Sequence, residues 1–323
     1  MIFGTLIITL LLAIPLTLLD PPKQASQDPS GLVFEIQEKI DETFASPAHI
    51  IGFIVESKNG DVLTPEVLSE LLFNETTLRS SDFNKELTPS GLKQSTYLRE
   101  FFHPSYNQKV TGLLTLADAV QERLINDNDL DTTLFEASEK QVKIAIHRIF
   151  QDPRSADLKE SLSSKASSLK REINGQIIDW WTSPAMLFVV VADNNLLGGG
   201  TLTIGVGGDQ RTLDKEQLNR NVQKLLRGEQ NTYNLWGLAI DVNLEAQDQG
   251  RTSALFITLT AIAAIGIVGL TLRSYWSVAL TGMGLGILII WLKAISQLVG
   301  LKSGLSIDLI VPIAMIAFGV DFA

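Results

Sequence analysis

The 323-residue chain contains no cysteine and only three histidines. Without thiols there are no disulfides, no thiolate nucleophile and no cysteine-ligated zinc. His49, His103 and His147 stand far apart and form no pair at metal-ligand spacing. No metal, no cofactor and no catalytic residue are therefore expected, and the chain does not read as an enzyme. Charge is missing from both ends. Residues 1–19 hold no charged side chain, and residues 253–323 hold only Arg273, Lys293, Lys302, Asp308 and Asp321. Of the 26 Lys+Arg and 36 Asp+Glu, residues 20–251 therefore keep 23 and 34, a net charge of −11. That surplus works against nucleic acid, whose binding rests on cations neutralising phosphates, and against anionic lipid headgroups.

The poorly charged ends read as membrane segments. Residues 2–19, "IFGTLIITLLLAIPLTLL", reach about 27 Å as a helix, against a hydrocarbon core of about 30 Å. A cleaved signal peptide would need a basic leader and a small-residue cleavage site. No Lys or Arg precedes Lys23, and the run leads into "LLDPPK", so a retained helix is expected and Met1 is left open as the native start. Further spans are expected at 253–272, at 277–300 with Gly282, Gly284 and Gly286 for close packing, and from 305 on with Pro312 as a kink. One span separates the acidic middle from the Arg273 turn. This places the large domain outside the cell membrane and the turn in the cytoplasm.

Within the middle section, "HIIGFIVE" predicts a strand, followed by an N-G-D turn and a helix with Thr64 as N-cap and Pro65 at its first position. "AMLFVVVAD" predicts a second strand and "TLTIGVGG" another. "LDKEQLNRNVQKLLRGE" reads as a helix and "YNLWGLAIDVNLEAQ" as a further strand. Two half-units of strand and helix, far apart in sequence, imply a split β-α-β sandwich. Residues 110–181 read as a mainly helical insert, including a polar helix over "SADLKESLSSKASSLKREI". "LLGGGTLTIGVGGDQ" lacks the G-x-x-x-x-G-K-[ST] of a phosphate loop and reads as a turn or hinge. "WWTSP" offers an apolar ligand site or, by preference, a helix end packed in the core. "NET" at Asn74 fits a glycosylation sequon and carries no weight alone.

The chain closes on "IAFGVDFA". Asp321 lies 12 residues beyond Leu309, about 18 Å along a helix and past the midplane of the expected span. A charged aspartate at such depth costs about 2.5–3.5 kcal/mol, so it pairs, faces the protein interior or titrates. Asp308 suits the start of the same span, where a negative charge complements a helix N-terminus.

A first span, a large external domain and three closely spaced spans ending in "PIAMIAFGVDFA", with "LTLRSYWSVALTGM" between the second and third, resemble the N-terminal half of a resistance–nodulation–division exporter. The closest branch is the MMPL-like, hydrophobe–amphiphile type, with sterol-sensing-like spans. The resemblance implies an α-helical membrane protein with a large external α+β (ferredoxin-like, split β-α-β) domain carrying a helical insert. It divides the chain into transmembrane helix 1 at 1–19, a porter-like domain at 20–252 with its insert at about 110–181, and helices 2–4 at 253–323, the last truncated. It implies proton-driven export of hydrophobic or amphiphilic molecules, with Asp321 as proton relay, Gly319 as the small residue before it and Phe322 where the family has tyrosine. A phenyl ring lacks the hydroxyl, so a relay here must use water or another side chain. The implied partners are the lipid bilayer, the exported molecule, protons, a missing C-terminal half and, as an open question, further copies of the chain. A lipid-binding sensor and an accessory subunit of protein export are the alternatives.

Overall fold

The computed structural model describes residues 46–103, 108–173, 175–201, 210–229, 231–249 and 275–298, together with scattered single positions. The chain divides into two compact units, one of Met1–Glu35, Thr203–Leu213 and Val242–Ala323, the other of Ile36–Leu202 and Asp214–Asp241.

The second unit is built on a three-stranded sheet. Strand β1 (Ala48–Ser57) lies between β6 (Ala185–Asp193) and β7 (Tyr233–Gly237) and is antiparallel to both. Helix α1 (Pro65–Phe83) follows β1, and α5 (Gln210–Arg227) joins β6 to β7. Two parallel strands with a third inserted between them form a split β-α-β unit. Local chemistry sets the start of α1. The Thr64 hydroxyl accepts from the Val67 amide, Pro65 occupies the first turn and Glu66 adds a favourable charge there. One core joins Ile51, Phe53 and Val55 of β1, Phe188 and Val190 of β6 and Leu235 of β7 to Leu68 and Leu71 of α1 and Leu218 and Val222 of α5.

The segment between α1 and β6 contains β2 (Glu100–His103), β3 (Gln108–Thr111), α2 (Leu116–Asn126), α3 (Glu139–Gln151), a short α4 (Ala156–Glu160), β4 (Ser167–Ile173) and β5 (Gln176–Thr182). Helices α2 and α3 each begin at a capping box, Thr115 with Asp118 and Ser138 with Gln141. The outer edge of β6 is sealed by three short pairings from this segment, Leu98 with Ala192, Leu113 with Val190 and Leu162 with Met186.

Here the structure corrects the sequence reading in several places. The polar helix expected over residues 155–173 is only one turn, after which the chain becomes strand β4. Serines compete for local backbone hydrogen bonds and weaken a helix; Ser163 Oγ accepts from the Lys165 amide, and the Ser163 amide donates to Ala185. Strand β5, carrying "WW", then supplies the partner that makes residues 167–173 a strand. The strand expected after α5 ends at Gly237, where the chain turns through Ala239 at φ 50. "TLTIGVGG" falls mostly outside the described residues.

The membrane assignment is also corrected. A crossing needs about 20 consecutive, predominantly apolar residues in one helix. Among the described residues, no helix is long and apolar enough to cross a membrane; α6 (Tyr275–Leu298) falls on the third expected span, and many of its side chains lie outside those residues. The α-helical membrane fold, the multi-pass placement with the large domain outside and the transmembrane-transporter assignment are withdrawn accordingly. The spans expected at 2–19, 253–272 and from 305 on lie largely or wholly outside the described residues.

A buried ion pair ties three parts of the second unit together. Lys143 Nζ of α3 donates to Asp61 Oδ2 at 2.6 Å and to the Trp181 carbonyl at 2.7 Å. Asp61 Oδ1 accepts from the amides of Leu63 and Ser183, both at 3.0 Å. Lys143 is fully buried. Removing its counter-charge with Asp61→Ala should lower unfolding free energy by about 3–5 kcal/mol. The urea midpoint should fall at unchanged slope, and adding Lys143→Met should cost less than the two single losses combined.

Candidate functional site: an open apolar sheet face

The two faces of the sheet differ in what covers them. Side chains alternate across a strand. His49, Ile51, Phe53, Val55 and Ser57 of β1 point into the core, with Met186, Phe188, Val190 and Ala192 of β6 and Tyr233 and Leu235 of β7. The rings of Phe53 and Phe188 pack with centroids 5.7 Å apart. The opposite face carries Ile50, Gly52, Ile54, Leu187, Val189, Val191 and Trp236, followed by Leu238. Ile50 is 62% exposed, Trp236 55% and Leu238 48%. Register sets these residues in rows. Ile50 pairs with Val191, and Ile54 with both Leu187 and Trp236. Gly52, which pairs with Val189, leaves room that Leu238 fills; a Cβ at Gly52 would stand 3.0 Å from Leu238 Cδ1. Trp236 is held in place by its Nε1–H donating to Glu56 Oε2 at 3.0 Å.

An antiparallel sheet with one wet face normally alternates apolar with polar residues, whereas strands covered on both faces read as continuous apolar runs. "HIIGFIV" and "AMLFVVVA" are of the second kind, yet one face is open. Isolated exposed leucines mean little. A contiguous apolar patch on a sheet is a candidate interaction surface. The sequence signal was the absence of alternation; which face stays uncovered is decided only by packing.

The residues singled out in the sequence do not converge on this face. Asp321, Gly319 and Phe322 lie outside the described residues, as does Asp308. Trp180 ends up 8% exposed, with Arg171 and Lys143 over its ring at 4.4 and 5.6 Å. Trp181 meets Phe150 edge-on at 5.5 Å and carries Lys159 at 4.8 Å. Both tryptophans end a strand rather than a helix, and both serve packing. His49 is buried, and its Nε2 pairs with Asn219 Oδ1 at 2.9 Å; burial first, and Lys215 second, hold its pKa down. His147 accepts from the Asp179 amide through Nδ1. At Gly198–Gly200 the backbone turns through positive φ, and Lys215 Nζ donates to the carbonyls of Gly199 and Gly200. Carbonyls facing a cation make a structural turn, whereas a phosphate cradle presents amides.

A cavity of about 180 Å³ lined by residues such as Glu122, Arg123, Asp152 and Arg154 is smaller and more polar than sites that enclose organic ligands. No protein-family model matches the chain, and no curated protein matches it.

Asn74 of the "NET" triplet is buried, donating through Nδ2 to Tyr233 Oη at 2.7 Å and to the Leu226 carbonyl at 3.3 Å. A glycosyl transferase cannot reach it in the folded unit. Asn74→Ala should cost about 1 kcal/mol, read from the urea midpoint, because Tyr233 Oη loses a buried donor while keeping its own bond to the Leu226 carbonyl.

Proposed function

We propose that the second unit is a non-catalytic docking module whose open sheet face receives an apolar layer of a partner polypeptide. The observation that supports it is the pair of strands apolar on both sides and covered on one. An open sheet face suits a protein surface better than a small molecule, which takes a concave site. The acidic surplus of residues 20–251 favours a partner with basic residues flanking its apolar stripe. This keeps the hydrophobic or amphiphilic character of the partner implied by the exporter resemblance and leaves the proton relay aside.

A photo-crosslinking side chain in place of Val189 should trap a polypeptide in cells. The same group in place of Phe73, which is exposed on α1, should trap much less. Ile50→Lys should abolish the Val189 adduct while moving stability by no more than about 0.5 kcal/mol, as exposed substitutions do. Equal adducts at both positions, or adducts to lipid alone, would overturn the docking reading.

A further inference from the structure

Two carboxylates and one guanidinium meet where α1 crosses the start of α2. Arg79 of α1 grips Asp118 with two hydrogen bonds, at 3.1 and 3.0 Å, and donates to the Leu113 carbonyl at 2.9 Å. One turn earlier Glu75 is fully buried. Its Oε1 accepts from the Thr115 hydroxyl at 2.7 Å, whereas its Oε2 makes no hydrogen bond. The Arg79 guanidinium stands 3.9 Å from Oε2 through Nη2, whose donors go to Asp118 and the Leu113 carbonyl, as Nε donates to the Thr111 carbonyl. Asp118 is fixed in turn, because its carboxylate also accepts from the Thr115 amide in the capping box. One cation therefore faces two acids, of which Glu75 is closed to water while Asp118 and Arg79 are partly exposed. An ionised Glu75 would leave a buried anion with an unsatisfied oxygen, a costly arrangement. A proton on Glu75 removes the excess charge and turns the orphan oxygen into a donor.

We propose that Glu75 is protonated in the folded protein at neutral pH, and that Glu75, Arg79 and Asp118 form a proton-controlled clamp joining α1 to α2. Burial, then the Asp118 charge, push the Glu75 carboxyl well above its ordinary range, against weaker pulls from Thr115 and Arg79. The groups facing Glu75 are Asp118 and Thr115 from the start of α2 and Arg79 from its own helix. Tyr233 of β7 feels its charge, and the Tyr233 hydroxyl is itself raised by burial. Glu122, one turn along α2, acts on the cluster through Asp118. The fold then binds a proton that the unfolded chain releases. Its contribution is complete below the unfolded glutamate pKa and is lost as pH rises through the folded one. Alkaline conditions ionise Glu75 and loosen the α1–α2 junction.

The test compares the full chain with Glu75→Gln, which supplies a neutral donor of the same length. Between the unfolded and folded pKa, the folding equilibrium constant of the wild type should fall about tenfold per pH unit relative to the variant. Parallel pH profiles would overturn the proposal. The carboxyl ¹³C signals of a glutamate-labelled wild type provide a readout that does not require the variant to fold. One signal titrating far above the rest supports the clamp, and a full set titrating in the ordinary range overturns it.

Discussion

A buried lysine and its carboxylate partner, Lys143 and Asp61, sit where three separate pieces of chain meet. Asp61 sits in the turn between β1 and α1, Lys143 on α3, and the Ser183 amide between β5 and β6. A charge as buried as that of Lys143 is tolerable only with its partners in place, so the three segments are fixed relative to one another or not folded at all. The position of α3 in turn carries β5, whose tryptophans rest against Lys143, Phe150 and Lys159. The insert is thus fastened to the sheet by this ion pair and the carbonyl it also serves, in addition to the bridges along β6.

Helix α1 extends this logic along its length. Its inward side mixes leucines with polar groups, each assigned to a different loop. Glu70 accepts from the Asn231 and Thr232 amides, Asn74 reaches Tyr233, Arg79 takes carbonyls before α2, and Asp82 accepts from the amides of Tyr97 and Leu98. Hydrophobic burial is indifferent to register, but these bonds are not. They pin one helix against the β7 turn, the entry to α2 and the edge of β6 at once. A proton at Glu75 would therefore act on a junction already placed by its neighbours, and a small local change there reaches the start of α2 directly.

How much of this was legible beforehand varied with the range of the interaction that decides it. Thr64 and Pro65 announce the start of α1 because capping is local. Strands β1 and β6 show in their apolar runs. Residues 155–173 misled, because a serine-rich stretch has no apolar period and its strand state depends on pairing with β5. The open face was hidden for a related reason: a sequence apolar on both sides of a strand does not say which side its own helices cover. The buried acid at Glu75 sits in a polar-looking "NETT" stretch, and only the crossing of α1 with α2 isolates it from water. The apolar ends invited a membrane reading that no helix among the described residues supports, and Asp321, the residue it turned on, lies outside them.

The sealed edge of β6 has a consequence for what the molecule can become. Exposed strand edges are where sheets recruit one another and grow into larger assemblies. With Leu98, Leu113 and Leu162 each occupying part of that edge, the backbone of β6 offers no free ladder for a neighbouring chain to extend. Association across the open face, as proposed, would instead stack side chains in a second layer. Stacking of this kind closes on itself, whereas lateral strand addition continues without limit. The insert therefore doubles as a stopper, letting the domain keep an exposed apolar surface while denying it one route to fibrous aggregation.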